Sequence, residues 1–299
     1  MSGVVRLGGR DTVPLGGAWA ILHRVVRGEG GPVDSTRTDA RGRYRFRLAA
    51  VDTGAVYVVS AWYDSLAYFS LPVTTRDRTL AEVEDLVVYG TTKRGPPIRL
   101  TRRLLTIARP AADGTREVLE ILELENTGLT TRVTDDTLVP TWAGAIPEAA
   151  LHFRGGEGDI SPGAILLRHD SVQVLGPIPP GHGKQLSYSY VLPAGPRQLA
   201  LRIDQPTLEL NLLLEDTTAV ASAPGIQSIG VQEIEQRHFA AYRAGPLDAG
   251  TVVTVGLPRS GFRPQTLLPY VVALLATAMA GALVWALRRK PVAPSHARA

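Results

Sequence analysis

From Leu267 to Leu287 the chain reads LLPYVVALLATAMAGALVWAL, 21 residues without a charge. At about 1.5 Å rise per residue, a helix of that length crosses a hydrocarbon core of about 30 Å. A buried helix of a globular domain would show a polar face, and this run has none. Tyr270 and Trp285 stand near its ends, where amphipathic rings favour the headgroup level, and Pro269 falls in the first turn, where its missing N–H costs little. Arg288, Arg289 and Lys290 follow at once. The expectation is a single transmembrane helix over 267–287, with a short basic tail over 288–299 and a juxtamembrane segment over 259–266.

The flanking charges set the expected orientation. Arg288, Arg289, Lys290 and Arg298 follow the span, against Arg259 and Arg263 before it, so the positive-inside rule puts the tail in the cytoplasm and the large N-terminal part outside. The opening MSGVVRLGG shows no basic segment leading into an apolar stretch, so no export signal is visible. Two readings follow: a leader that this chain lacks, which the extracytoplasmic character of the domains favours, or a tail-anchored protein facing the cytoplasm.

The formal charge of +4 does not mark a nucleic-acid binder. Residues 266–299 hold four of the 32 basic residues and no acidic one, leaving 28 basic against 28 acidic residues upstream. Neither upstream half has the concentrated basic stripe that phosphate binding requires. There is no cysteine, hence no disulfide, thiolate nucleophile or cysteine-based metal site. A hydrophobic fraction of 44% allows real cores, so stability must come from burial.

Upstream of the span the dominant period is two. In RYRFRL, Arg43 to Leu48, arginines alternate with Tyr44, Phe46 and Leu48, the pattern of a strand with one buried face. Asp39-Ala40-Arg41-Gly42 supplies a turn before it and Ser35 to Thr38 a β-prone run, so 34–48 reads as a hairpin. Further strands are expected at Ala18 to Val25, Ala55 to Tyr63, Leu66 to Val73 and Val83 to Tyr89. Short strands separated by turn signals, with no convincing helix, imply a β-sandwich over residues 1–90.

The run STRTDARGRYRF, Ser35 to Phe46, resembles the T-D-x-x-G-x-Y-x-F signature of carboxypeptidase regulatory-like domains, which have a transthyretin-like (prealbumin-like) sandwich fold. The preceding GGAWAILHRV resembles the strand in which such domains carry a small residue followed by alternating apolar ones. The resemblance covers about residues 3–90 and implies an accessory module rather than an activity. A Lys to Asn isopeptide bond, known in related pilin-type sandwiches, is not expected: the first domain has no strand lysine, and no Asn precedes Asn126.

Thr91 to Pro97 reads as a linker. Residues 98–258 read as a second β-rich, sandwich-like domain, with its clearest strand in QLSYSYVLP and others at Leu104 to Ala108, Ala164 to Arg168, Val172 to Leu175, Leu199 to Ile203, Leu208 to Leu214 and Thr251 to Leu257. Glu117 to Asn126 fits a strand or a short helix, and Ile226 to Arg243 fits either. The expected fold is thus mostly β: two tandem sandwiches followed by one C-terminal transmembrane helix.

No catalytic, metal or cofactor constellation is legible. The histidines His23, His152, His169, His182, His238 and His296 form no helical pair that would gather zinc. No nucleophile elbow, phosphate loop or dinucleotide fingerprint occurs, and His169-Asp170-Ser171 is no triad, because adjacent side chains on extended backbone point apart. Asp135-Asp136 and Gly156 to Asp159 lack calcium-loop spacing and read as solvated turns. The aromatic group Trp62, Tyr63, Tyr68 and Phe69 brackets an expected Asp64-Ser65 turn, and alternation must send some of its rings inward. Trp62, Tyr63 and Tyr68 are the candidate binding residues.

The sequence-level reading is a non-enzymatic, membrane-anchored binding or scaffolding protein that needs no cofactor and whose partners are the bilayer and a protein or glycan. The alternative is an accessory subunit or assembly factor of a membrane complex, with Ala273, Thr277 and Gly281 on one helix face packing against another helix. A hydrolase with scattered catalytic groups is the remote third reading.

Overall fold

The computed structural model describes residues 1–48, 52–75, 81–134, 136, 138–181 and 183–258. The expected span 267–287, with Tyr270, Trp285, Arg288, Arg289, Lys290 and the small-residue face of Ala273, Thr277 and Gly281, lies outside the described residues. Among the described residues no helix is long and apolar enough to cross a membrane. The described chain is almost entirely β, and residues Met1–Leu257 form one compact unit.

The first module contains β1 (Ser2–Leu7), β2 (Val13–Pro14), β3 (Trp19–Val26), β4 (Glu29–Arg37), β5 (Arg43–Arg45), β6 (Val56–Tyr63), β7 (Leu66–Phe69), β8 (Val73–Thr74) and β9 (Leu86–Val88). One sheet runs β4-β3-β6-β7, with β8 also on β6. The other is built on β1, which pairs antiparallel with β2 and β5 and parallel with β9. Val5, Leu22, Tyr44, Phe46, Tyr57, Val59 and Val88 are buried between the two sheets.

The expected hairpin over 34–48 is corrected. Its two strands do not pair with each other: β4 pairs with β3, and β5 pairs with β1 in the other sheet. Asp39 to Gly42 is therefore a corner that passes the chain across the core. The Asp39 carboxylate accepts from the Arg41 and Arg43 amides, both at 2.9 Å, and from Arg43 Nε at 2.8 Å. Gly42 adopts φ +73°, and a Cβ there would stand 2.4 Å from the Val5 carbonyl oxygen, so only glycine fits. The Asp, Gly, Tyr and Phe positions of the motif thus have one structural explanation: cap, corner, and two core rings.

The second module contains β10 (Thr91–Thr92), β11 (Arg99–Ile107), β12 (Arg116–Glu125), β13 (Thr131–Arg132), β14 (Trp142–Ala145), β15 (Leu151–Gly155), β16 (Ile165–Arg168), β17 (Ser171–Val174), β18 (Lys184–Leu192), β19 (Gln198–Arg202), β20 (Thr207–Leu214), β21 (Val220–Ser222), β22 (Ile226–Ile234), β23 (Arg237–Ala244) and β24 (Val252–Gly256). A seven-stranded sheet, β15-β18-β12-β11-β20-β23-β22, packs over two three-stranded sheets, β14-β17-β16 and β19-β24-β21. The two segments that fit helix or strand are both β. Glu117 to Asn126 supplies β12, and 226–243 supplies the hairpin β22-β23, turned by Glu235 and Gln236 at φ 50° and 62°.

At the centre of the large sheet sits a charge the sequence reading missed. Arg103 on β11 and Glu120 on β12 are 4% and 0% exposed, and Arg103 donates to Glu120 Oε2 from Nε at 2.8 Å, with Nη2 2.7 Å away. Tyr188 and Tyr190 on β18 donate their hydroxyls to the same carboxylate at 3.2 and 2.9 Å. Burial, then the Glu120 charge, pushes both phenols far above their usual range, so they remain donors. Burial alone disfavours the Arg103 charge, but the carboxylate outweighs it and the guanidinium stays protonated.

Removing one partner of such a pair strands the other without solvent. Glu120→Ala is predicted to cost about 3–5 kcal/mol, while the double variant Arg103→Met with Glu120→Leu recovers only part of that loss, because the Tyr188 and Tyr190 hydroxyls still lose their carboxylate acceptor. Urea unfolding of the four members of the cycle measures it. A Glu120→Ala cost no larger than that of an exposed substitution would contradict this role.

Candidate functional site: an aromatic face on the first module

The outer face of the β4-β3-β6-β7 sheet follows from register. Trp19 on β3 lies directly opposite Trp62 on β6, and next in the row come Arg37 on β4 and Ala67 on β7. One row along, Ile21 lies opposite Ser60, flanked by Ser35 and Phe69. Because strand side chains alternate, these residues share the face that points away from Leu22, Val59 and Ala61. Trp19, Trp62 and Phe69 are 46%, 50% and 61% exposed, so three large rings stand in water on one sheet surface.

Polar groups sit among them. His23 Nε2 and Ser60 Oγ are 2.8 Å apart, and the His23 ring lies 6.0 Å from that of Phe69. The Arg37 guanidinium stacks 4.5 Å above the Trp19 ring and donates to the Gly17 carbonyl at 2.9 Å. A cation held over an indole at both ends restricts the Trp19 rotamer.

The three candidate rings divide between the two faces. Trp62 points outward. Tyr63 and Tyr68 are packed against the first core, on the inward side of the same hairpin. The Asp64-Ser65 turn is present, with φ 48° and 66°, the left-handed pair that a two-residue hairpin loop needs. Trp19 escaped the sequence reading because nothing in the chain states which residue of β3 stands opposite Trp62. The alternation Trp19, Ile21, His23, Val25 was the only available signal.

The inward side of that hairpin has another job. Tyr68 Oη donates to the Tyr89 carbonyl at 2.8 Å and lies 2.8 Å from Thr131 Oγ1. Asp64 Oδ2 accepts from the Thr91 amide at 2.6 Å and from its hydroxyl at 2.7 Å. Thr91-Thr92, part of the expected linker, forms β10 and pairs in parallel with β13 of the second module. The junction between the two cores is thus hydrogen-bonded backbone with Asp64 and Tyr68 reaching into it.

Two concavities elsewhere are lined in part by charges that pair within the protein. In the cleft of about 580 Å³ beside Tyr44, Asp39 is paired with Arg43 and Asp85 with Arg6. In the one of about 520 Å³ over Leu119 and Ser189, Arg237 is bound to Glu215. Among the described residues no three His, Asp or Glu side chains converge to hold a metal ion. His152 and His169 take left-handed backbone at φ 53° and 54°, and His238 lies 3.9 Å from Glu233 on the exposed hairpin. His182, His296 and Asp135 lie outside the described residues.

No protein-family model matches this chain, and no curated protein matches it. Among solved structures, similarity extends to an M1 zinc metallopeptidase from Deinococcus radiodurans, at 11% identity over 54% of this chain and 43% of that one, with a TM-score of 0.36. A two-domain M1 zinc metallopeptidase mutant bound to L-tryptophan gives 11% identity over 54% and 43% of the two chains, with a TM-score of 0.37. The yeast delta-COP-I mu-homology domain gives 9% identity over 57% and 79%, with a TM-score of 0.17. The chain spans less than half the length of these metallopeptidases.

Two predictions follow from the geometry. Trp62→Ala and Trp19→Ala should each cost about 1 kcal/mol or less, because both rings are outside the core, whereas Leu22→Ala on the inward side of β3 should cost about 2–5 kcal/mol. Thermal unfolding distinguishes them, and equal losses would mean that the rings are structural. The junction should also respond to acid. The Thr91 hydroxyl, then its amide, hold Asp64 below the usual carboxylate range, so the contribution is complete above the unfolded pKa and lost as pH falls through the folded one. The stability gap between the native chain and Asp64→Asn should therefore narrow below about pH 4. A gap constant from neutral pH to pH 3 would remove Asp64 from the junction's energetics.

Proposed function

We propose that this chain is a membrane-anchored, non-catalytic binding protein whose β-sandwich modules lie outside the membrane and whose first module offers the Trp19/Trp62/Phe69 face to a partner. The observation that carries this reading is the pair of half-exposed tryptophans placed opposite each other on the two inner strands of the sheet, β3 and β6. A large ring in water is costly unless something covers it, and Trp, fixed by few rotors, is the side chain on which binding energy most often concentrates. The anchor and orientation rest on the uncharged run at 267–287 and the basic cluster after it. In this reading the first module is an accessory sandwich of the carboxypeptidase regulatory-like kind, which the cap, corner and core roles of Asp39, Gly42, Tyr44 and Phe46 support.

A second reading, an accessory subunit of a membrane complex, draws on the β22-β23 hairpin. Every residue of β22 after Ile226 is exposed, including Ile229, Val231 and Ile234. That apolar edge is a natural place for another polypeptide.

The deciding experiment is cross-linking of the full chain in intact cells, with native protein and the Trp19→Ala/Trp62→Ala variant compared at equal abundance, together with protease accessibility of residues 1–257 from outside. The expected outcome is external cleavage and loss of the main adducts in the variant. Adducts of unchanged identity and yield would remove the aromatic face from function, and protection of the modules would overturn the orientation.

A further inference from the structure

We propose that the aromatic face takes an extended chain of β-1,4-linked pyranose sugars. This inference rests on the binding reading above and names its ligand class.

The shape of the surface is the first reason. β3 and β6 pair without a bulge from Trp19–Trp62 to Val25–Val56, so the rings stand on a regular, open sheet rather than in a pocket. Phe69 lies one strand beyond Trp62 and two residues along, opposite Ser60. With strands about 4.8 Å apart and about 3.4 Å rise per residue, the diagonal from Trp19 to Phe69 is about 12 Å between Cα atoms. An open diagonal of that length engages several units of a ribbon-like polymer and offers little enclosure to a single small molecule, which would need most of its surface buried. β-1,4-linked glucose-type chains are flat ribbons with apolar C–H faces, whereas α-1,4-linked ones coil.

The chemistry is the second reason. A sugar ring has apolar faces and a rim of hydroxyls, so its receptor needs ring surfaces with hydrogen-bonding groups beside them. His23, part-exposed and hydrogen-bonded to the buried Ser60, and the exposed Ser35 lie within two rows of the tryptophans and offer both donors and acceptors. Charge argues against the other occupants. Arg37 is the one charged side chain at the outward positions of the paired stretches of β3, β4, β6 and β7, and it is already engaged with Trp19 and the Gly17 carbonyl. A nucleic acid or an anionic headgroup layer would demand several free cations here. A peptide added as a strand would need an open edge, but the tryptophans are on β3 and β6, each paired on both sides.

The test uses the full chain in detergent micelles and asks whether insoluble cellulose, chitin or peptidoglycan sacculi, all β-1,4-linked, retain it, with granular starch as the α-linked control. The expected result is retention on at least one β-linked polymer and weaker retention on starch. Trp19→Ala and Trp62→Ala should each weaken retention about tenfold, and Val220→Ala, at an exposed position of β21 in the second module, should leave it unchanged. Circular dichroism confirms that each variant is folded. Absence of retention on all three β-linked polymers, or retention indifferent to both tryptophans, overturns the proposal. If that happens while the double tryptophan variant still loses its adducts in cells, the sugar assignment falls and the binding reading stands. If the adducts persist as well, both fall.

Discussion

The larger core is organised around a charge it cannot release. Glu120 lies fully buried in the middle strand triplet of the seven-stranded sheet, directly opposite Tyr188 and diagonal to Arg103 and Tyr190. Those four residues sit on three different strands and satisfy one another only when β11, β12 and β18 hold a single register. A slip of one residue along β12 would turn Glu120 outward and bring Glu117, Glu123 and Glu125 into the core. The penalty for that state is several unpaired buried carboxylates, far beyond what a lost apolar contact costs. The same alternation places Glu123, Arg102, Glu209 and Arg243 on the outer surface, where they form an ion-pair ladder across β12, β11, β20 and β23. Exposed pairs of this kind contribute little each, so the register is enforced mainly from inside.

That lock explains which parts of the fold were legible in the chain. Alternation in RYRFRL and SYSYVL is local information, and it identified strands and their buried faces correctly. Pairing is non-local. The Asp39–Gly42 turn looks in sequence like the tip of a hairpin, because a tight turn between two β-prone runs has the same residue chemistry whether the strands pair or part. Only β1, which takes β5 on itself, reveals that the turn is a corner. Arg103 was invisible for a related reason. A β-bulge between Leu100 and Arg102 breaks the period of two, so Arg103 falls inside with Leu105 and Ile107 where a strict alternation counted from Leu100 would leave it outside. Its partner Glu120 is one of several glutamates in EVLEILELE, and nothing but the fold distinguishes it from its neighbours.

The candidate site was half legible for the same physical cause. A hairpin of aromatics around an Asp-Ser turn is readable, and so is the rule that its rings must divide between two faces. Which ring goes where depends on which face meets the core, and Tyr68 goes inward because Ala61 opposite it does. Trp19 comes from a strand more than forty residues upstream of Trp62 and joins the face only through antiparallel pairing.

The division of labour within one hairpin gives the aromatic face its rigidity. Tyr68 and Asp64 bind the junction to Thr131 and Thr91, so the inward side of β6-β7 is tied to the second module, whose own register is locked by Glu120. Trp62 and Phe69 project from the outward side of the same two strands. A ring surface mounted on paired strands that are themselves fastened at the junction loses little backbone freedom when a ligand arrives, and the Arg37 guanidinium stacked on Trp19 restricts that ring's rotamer. Binding to such a face draws on contacts made against a prepared surface rather than on ordering a loop. The face and the larger core meet through the short β10-β13 pair and the side chains of Asp64 and Tyr68, so the rings stand on strands held at one end by the second module.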